Sequence, residues 1–395
     1  VNGAITSPRG FRAAAVAAGI KPQGLDLALL VADRTCPAAA VFTTNRATAA
    51  PVIVSREHLA GGRARAVVVN AGCANAATGE AGLADARAMA AAAAQAVECP
   101  PGEVLVASTG VIGVPLPMDR VKAGIAAAAA RLSAEQGAAA ARAILTTDTR
   151  PKEVVVPFRV EGGEARVGAM AKGAGMIAPD MATMLAFFTT DADVEASLLR
   201  RALREAVGES LNRITVDGDT STNDMAVVLA SGAVGPRIDG GGTCFDAFRA
   251  ALTEAARALA EMIVRDGEGA SKLAEVRVEG ARTGADADRI ARTVAESPLV
   301  KTALHGGDPN WGRILAAVGR SGVELDIGQV DIWLGDVWVA EGGQARTYDE
   351  STAHAALLAD PIRIRIRLGA GVATGWMWTC DLSHEYVDIN AHYRS

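Results

Sequence analysis

The order of elements along the chain predicts an α+β fold, with more than one sheet, rather than a doubly wound one. Helical and strand patterns are mixed, but they do not alternate cleanly as β-α-β, which is what a continuous parallel sheet with crossover helices requires. Two stretches show the mixture plainly. The apolar run Ala64 to Asn70 has the look of a buried strand and is followed by an Ala-rich helical run from Ala81 to Val97. Far downstream, Ile362-Arg363-Ile364-Arg365-Ile366-Arg367 alternates with period two, the mark of a half-buried strand with its arginines on one side.

The remaining elements follow in order. A strand at 103–108 leads into a turn at Ser108-Thr109-Gly110, and more helix lies between Met118 and Leu145. Residues 152–170 form a hairpin turned at Gly162-Gly163. Lys172 to Asp180 holds several structure breakers and is read as an irregular loop entering a strand from Met184 to Thr190. An amphipathic helix at 195–210, a strand at 224–231, a long helix at 243–265 and a strand at 272–279 come next. The last third adds strands near 323–340 and 362–380. At 395 residues the chain exceeds the usual size of one domain, so two packed lobes, or a large and a small domain, are expected. No repeat, linker or charge block marks a boundary.

Composition narrows the function. Half the residues are hydrophobic but only 4% are aromatic, so the core is built from Ala, Val, Leu and Ile. A formal charge of -6 argues against a nucleic-acid surface, because such binding depends on Lys and Arg neutralising phosphates. A small molecule is the expected partner. No uncharged apolar run approaches the length that crosses a bilayer. Arg9 and Arg12 before Ala13 to Ile20 resemble a signal peptide in charge, but Lys21-Pro22 ends the apolar stretch early. Cys36, Cys73, Cys99, Cys244 and Cys380 are scattered, odd in number and without a CxxC pair, which fits a reducing cytoplasm and neither disulfides nor zinc.

The familiar catalytic templates are absent from the sequence: it has no GxSxG, no HExxH and no GxxxxGK[ST]. Among the five histidines, His305 before Gly306-Gly307 is the most suggestive, but a lone histidine is more often structural. Without a histidine base, a hydroxyl can still be activated by an N-terminal amine, which requires the nucleophile to become the first residue of a chain. Ala182-Thr183, a small residue before a threonine where the glycine-rich loop meets an apolar strand, is the best candidate bond. On local pattern alone, Thr183 reads as a β-branched residue opening a strand and not as a nucleophile. Asp217 to Asp224 superficially suggests a calcium loop, but it lacks the terminal glutamate and flanking helices and is read as a structural turn. Gly307 to Arg313 is either an anion-binding helix start or a capping turn.

Several ordered blocks resemble one family. They include Ile5 to Lys21 with its Pro8-Arg9-Gly10-Phe11, Phe42-Thr43-Thr44-Asn45-Arg46, Asn70-Ala71-Gly72-Cys73-Ala74-Asn75-Ala76, Ser108-Thr109-Gly110-Val111-Ile112-Gly113 and Thr146-Thr147-Asp148-Thr149. Lys172-Gly173-Ala174-Gly175-Met176-Ile177-Ala178-Pro179 leads to Met181-Ala182-Thr183-Met184-Leu185. Val216 to Asp224, Asp266-Gly267-Glu268-Gly269-Ala270, Gly307 to Arg313 and Tyr386 to Ala391 complete the set. Together they resemble the ornithine acetyltransferase (glutamate N-acetyltransferase) family of arginine biosynthesis from end to end.

The resemblance implies two α/β lobes with sheets sandwiched around a cleaved strand, in a topology of the family's own that resembles N-terminal-nucleophile enzymes in mechanism. It places self-cleavage at Ala182-Thr183, giving fragments 1–182 and 183–395 that share one catalytic unit and assemble as a heterotetramer of two of each. It implies ping-pong transfer through Thr183 from N2-acetylornithine to glutamate, with acetyl-CoA left open as a second donor and no cofactor or metal. Thr109 and Gly110 would form the oxyanion hole. Thr149, Lys172, Thr183, Glu268, Asn390 and the terminal residue would bind substrate, and that terminal residue is Ser395 where the family usually has threonine. The rivals are a self-cleaving aminopeptidase or amidase, in which water takes the acyl group, and a non-enzymatic amino-acid-binding protein.

Overall fold

The computed structural model describes residues 3–178 and 184–392. Contacts divide the described residues into two compact units: the first comprises residues 3–178, 184–212 and 219–263, the second 213–218 and 264–392. The α+β class expected from the sequence is the one observed. Each unit is built on its own mixed sheet.

The first unit begins with β1 (Phe11–Val16) and β2 (Leu27–Phe42), then α1 (Ala50–His58), β3 (Arg63–Cys73), α2 (Gly79–Ala96), β4 (Val104–Val111), α3 (Met118–Ala129) and α4 (Gly137–Ala143). The hairpin follows as β5 (Lys152–Val160) and β6 (Gly163–Lys172), then β7 (Leu185–Val194) and α5 (Ala196–Gly208). After the short β8 (Ile214–Thr215) come β9 (Met225–Ile238) and α6 (Thr243–Arg265). The strand order is β4-β3-β2-β9-β7-β6-β5, with β1 also on β2.

The first half of β2 pairs with β1 and β3, the second half pairs with β9, and its register on β3 shifts between Val31 and Cys36. Side chains alternate across this sheet. Ala28, Leu30, Val67, Val69, Leu105 and Ala107 enter a core shared with Phe187, Val227 and Leu229 of β7 and β9. Their sequence neighbours Leu27, Leu29, Val31, Ala66, Val68, Val104 and Val106 enter a second core with residues of α1, α2 and α3. A sheet buried on both faces reads as continuous apolar runs, which is why these strands are so uniformly Val, Leu and Ala.

The second unit holds β8, β10 (Leu273–Ala281), α7 (Gly284–Ala295), α8 (Pro298–Gly306), α9 (Trp311–Gly319), β11 (Asp331–Leu334) and β12 (Val337–Glu341). Next are β13 (Gln344–Ala345), α10 (Glu350–Ala356), β14 (Ile362–Arg367), β15 (Ala373–Cys380) and α11 (His384–His392). The sheet order is β13-β12-β11-β14-β10-β15-β8. On β14, Ile362, Ile364 and Ile366 are buried with Val276, Val278 and the apolar face of α7, while Arg363, Arg365 and Arg367 are exposed. Arg365 stands 4.1 Å from the centre of the Trp333 ring, so the polar face is ordered by cation–π contact. The Gly307 to Arg313 segment proves to be a capping turn: Gly307 ends α8 in the left-handed region, and Asn310 caps α9 by accepting from the Arg313 N–H at 3.2 Å.

Phe187 is fully buried on β7, between β6 and β9. Phe187→Ala is expected to destabilise the protein by about 3–5 kcal/mol, the usual cost of emptying an aromatic site in a packed core. A shift of the denaturant midpoint to lower concentration, at unchanged slope, checks this.

Candidate active site

The oxyanion residues expected from the sequence lie on β4. Sequence reading places Ser108-Thr109-Gly110 in a turn, but the structure keeps them in the strand, paired in parallel with Asn70 to Cys73 of β3. The register slips at Gly72 and Cys73, so that Cys73 faces both Thr109 and Val111. Gly110 lies at φ 128, and a Cβ there would come within 2.4 Å of the Gly72 carbonyl carbon. Only glycine permits this approach. A polar network fixes the strand from below: Ser108 Oγ donates to Asn70 Oδ1 at 2.6 Å, and Asn223 Nδ2 donates to Ala74 O at 2.6 Å and Ser108 O at 2.9 Å. Thr109 and Gly110 themselves are only half-buried.

A second group of residues gathers at the ends of β5 and β6. Lys152 Nζ donates to Asp148 Oδ1 at 2.6 Å with both side chains fully buried, and the Gly173 N–H donates to the same oxygen at 2.6 Å. Lys172 Nζ donates to Thr146 Oγ1 at 2.8 Å and lies 3.8 Å from Asp148 Oδ2. Burial alone would raise the Asp148 pKa, but Lys172, Lys152 and the Gly173 N–H outweigh it and hold the carboxyl at about 2. Lys21 joins the group by donating to Leu145 O at 3.0 Å; burial pushes its ammonium pKa down, Lys172 pushes the same way, and Asp26 and Asp148 oppose. Three lysines thus gather around Asp148, with Asp26 beside Lys21, a cationic setting that suits a small carboxylate ligand. Thr149 is exposed beside Asp148.

The strand β7 starts between this cluster and Asp224. Lys172 pairs with Leu185 on one side, and Leu185 pairs with Met225 on the other. The Met225 N–H donates to Met184 O at 3.0 Å. Asp224, immediately before Met225, is 2% exposed. Ala182 and Thr183, the expected cleavage site and nucleophile, lie outside the described residues, as does Ser395.

In the second unit, Glu268 and Asn390 come together: Asn390 Nδ2 donates to Glu268 Oε2 at 2.7 Å. Glu268 sits in the turn after α6, and Gly269 lets that turn approach the start of α11, since a Cβ there would lie 2.5 Å from the Tyr386 nitrogen. Ser383 Oγ secures the same junction by donating to Gly269 O at 2.7 Å. His305 is bound at Nδ1 to Asp381 Oδ2 at 2.7 Å, and the same carboxylate accepts from the Ser271 hydroxyl and N–H. That accords with a structural histidine. Sequence reasoning overlooked Asp148, Asn223, Asp224 and Lys21 as organisers of the site, although all four stand inside blocks that carry the family resemblance.

The comparisons with known proteins agree. The pattern of the ArgJ family matches residues 12–395. The arginine biosynthesis bifunctional protein ArgJ of Symbiobacterium thermophilum is 53% identical over 397 residues, covering 100% of this chain and 99% of that one. Its counterpart in Dehalococcoides mccartyi is 50% identical over 396 residues, with 99% and 97% covered. The crystal structure of the Bacillus halodurans arginine biosynthesis bifunctional protein is 46% identical, with a TM-score of 0.52, and covers 53% of this chain and 100% of that chain. Fold and matches together define an α+β enzyme of arginine biosynthesis, an acetyltransferase. The chain belongs to the ArgJ family.

Asp148 supplies the prediction. Its folded pKa of about 2 lies below the ordinary 3.8, so its stabilisation is fully present above pH 3.8 and is lost as pH falls towards 2. Asp148→Asn should cost about 3–5 kcal/mol at neutral pH, because it strands buried Lys152 without its carboxylate. Denaturation across pH 2 to 7 should also show a flatter acid limb in the variant.

Proposed function

We propose that the chain cuts itself between Ala182 and Thr183 and then carries acetyl groups on Thr183 from N2-acetylornithine to glutamate. The observation that carries this reading is the family match across residues 12–395, which includes every block bearing an assigned residue. It favours acetyl transfer over the amidase and the non-enzymatic binding protein. The solved Bacillus halodurans chain, matched over its whole length, corresponds to only 53% of this chain, which is consistent with a protein that exists as two fragments.

In the proposed cycle the amine of Thr183 takes the hydroxyl proton, and Oγ attacks the acetyl carbonyl of acetylornithine. Ornithine leaves with the proton, and glutamate collects the acetyl group from the threonine ester. Splitting one hard transfer into two easier ones is the gain of the intermediate. Each half passes through an oxyanion, for which the Thr109 hydroxyl and the Gly110 N–H are the assigned donors. The rigid β3–β4 contact at Gly72 and Gly110 supports that role, since preorganised donors need not move as charge develops. Lys172 is assigned to the substrate carboxylate and Glu268, with Asn390, to the ammonium. Thr149 and Ser395 complete the assigned contacts. The relatives are named bifunctional, which supports acetyl-CoA as a second donor to glutamate; the assembly proposed is two fragments of each kind.

Intact mass of the purified protein is expected to show fragments 1–182 and 183–395, and a full-length but fully active protein would overturn the mechanism. Thr183→Ala should abolish cleavage and transfer together, whereas Thr183→Ser should still cleave and keep some turnover. Glu268→Gln should mature normally and lose about 10- to 100-fold in acetylornithine use, the equivalent of one charge-assisted contact. Transfer should decline as pH drops below about 7, because protonation of an amine with a reference pKa near 7.7 to 8 removes the base. Rates with acetylornithine and with acetyl-CoA, each measured against glutamate, determine the donors.

A further inference from the structure

The three lysines gathered around Asp148 are not equally satisfied. Lys152 Nζ donates to Asp148 Oδ1 with both side chains fully buried, and Lys172 Nζ reaches Asp148 Oδ2 at 3.8 Å while donating to Thr146 Oγ1. Lys21 Nζ makes a single hydrogen bond, to Leu145 O at 3.0 Å, and has no carboxylate within ion-pair distance among the described residues. An ammonium carries three donors, so most of its capacity is unused. Burial lowers its pKa, as expected of a cation without a close counter-charge. Its position is nonetheless firmly built. Asp26 is fully buried; its Oδ2 accepts from the Ile20 N–H at 2.6 Å and the Lys21 N–H at 2.9 Å, its Oδ1 from the Ala18 N–H at 2.6 Å, and its carbonyl from the Ala71 N–H at 2.8 Å. The Lys21 stem lies over Gly72, where a Cβ would come within 2.8 Å of Lys21 Cγ, and Gly72 is the cross-strand partner of Gly110. Lys21 thus starts against the strand contact that holds the assigned oxyanion donors. It ends at Leu145, next to the Thr146 hydroxyl that holds Lys172.

That span matches the dimensions of the donor in the proposed transfer from N2-acetylornithine, the reading on which this inference rests. In N2-acetylornithine the carboxylate carbon is three bonds from the acetyl carbonyl carbon, a separation of about 4 Å at most. A cation that reads the carboxylate must therefore sit close to the oxyanion donors. We propose that Lys21 is a direct ligand of the substrate's α-carboxylate, pairing with it alongside Lys172. The substrate supplies the close counter-charge that no described residue provides. Asp148 does not compete for Lys21, because its Oδ1 is taken by Lys152 and the Gly173 N–H and its Oδ2 faces Lys172. A donor without the α-carboxylate forgoes a charge-assisted contact, so Lys21 selects amino acids over simple amines.

The test compares wild type, Lys21→Met and Lys21→Arg on N2-acetylornithine and on its α-carboxamide, which has the same shape without the negative charge. Lys21→Met should lower kcat/KM for N2-acetylornithine by about 10- to 100-fold, the equivalent of one charge-assisted contact, and change that for the carboxamide by less than about threefold. Lys21→Arg keeps the charge and should recover part of the loss. Equal losses on both donors would make Lys21 a strut and overturn the proposal. So would a Lys21→Met enzyme that uses N2-acetylornithine as wild type does. Where the carboxamide is turned over too slowly to follow, competition by ornithine and by ornithinamide against N2-acetylornithine gives the same comparison. Circular dichroism shows whether Lys21→Met folds; if it does not, Lys21→Arg is compared on the two donors in its place, and a change confined to the acid carries the same meaning. A wild-type protein that moves no acetyl group from N2-acetylornithine rejects the transfer reading and this inference with it, whereas full wild-type transfer with equal losses in the variant rejects the inference alone.

Discussion

The parallel pairing of β7 with β9 is the constraint on which the first unit depends. It fixes Leu185 against Met225 in the middle of the sheet, with β6 on the other side. Because the ladder fixes the register, β7 begins at Leu185 between Lys172 of β6 and Met225 of β9. A one-residue slip would exchange the faces of Phe187 and Phe188 and bring the wrong side chains to the site. The packing energy of an apolar strand therefore serves as a positioning device for polar chemistry at its end.

The charges at that end remain in place because each has been given company. Asp148 is shared among two lysines and a backbone N–H, so its burial costs less than the loss of its partners would. Asp224 takes the opposite course: desolvation prevails over the neighbouring cation and pushes its pKa well above the ordinary carboxylate value. Two aspartates near one lysine thus have their pKa values pushed in opposite directions for a physical reason, namely how many donors each receives. Pairs of titratable groups pushed apart in this way are common where acid and base chemistry are both required.

Much of the fold was legible because periodicity survives in the sequence. The Ala-rich run became α2, the hairpin turned between β5 and β6 where expected, and the alternation of Ile and Arg on β14 matched its buried and exposed faces. Ser108-Thr109-Gly110 was misread as a turn because a glycine inside a strand looks like a break until its partner is known. Gly72, thirty-odd residues away, is what makes Gly110 necessary. The acidic residues were passed over for a related reason: nothing in local pattern sets Asp148 and Asp224 apart, and only tertiary burial distinguishes them. Chain length pointed to two lobes, but their boundary was invisible, since its last crossing falls within α6, where no change of composition marks it.

The order β2-β9-β7-β6 has a topological consequence. Strands β2 and β6 precede a cut at residue 182, and β9 and β7 follow it, so the two pieces would be laced through one another like the fingers of clasped hands. Severing the peptide bond would remove a covalent thread and leave four neighbouring strands still laddered together. Neither piece could then depart without exposing two raw sheet edges and an apolar face, a state prone to sticking to other chains. The proposed cut would be irreversible in a mechanical sense too, since pieces made separately would each lack the strands on which the other is laddered.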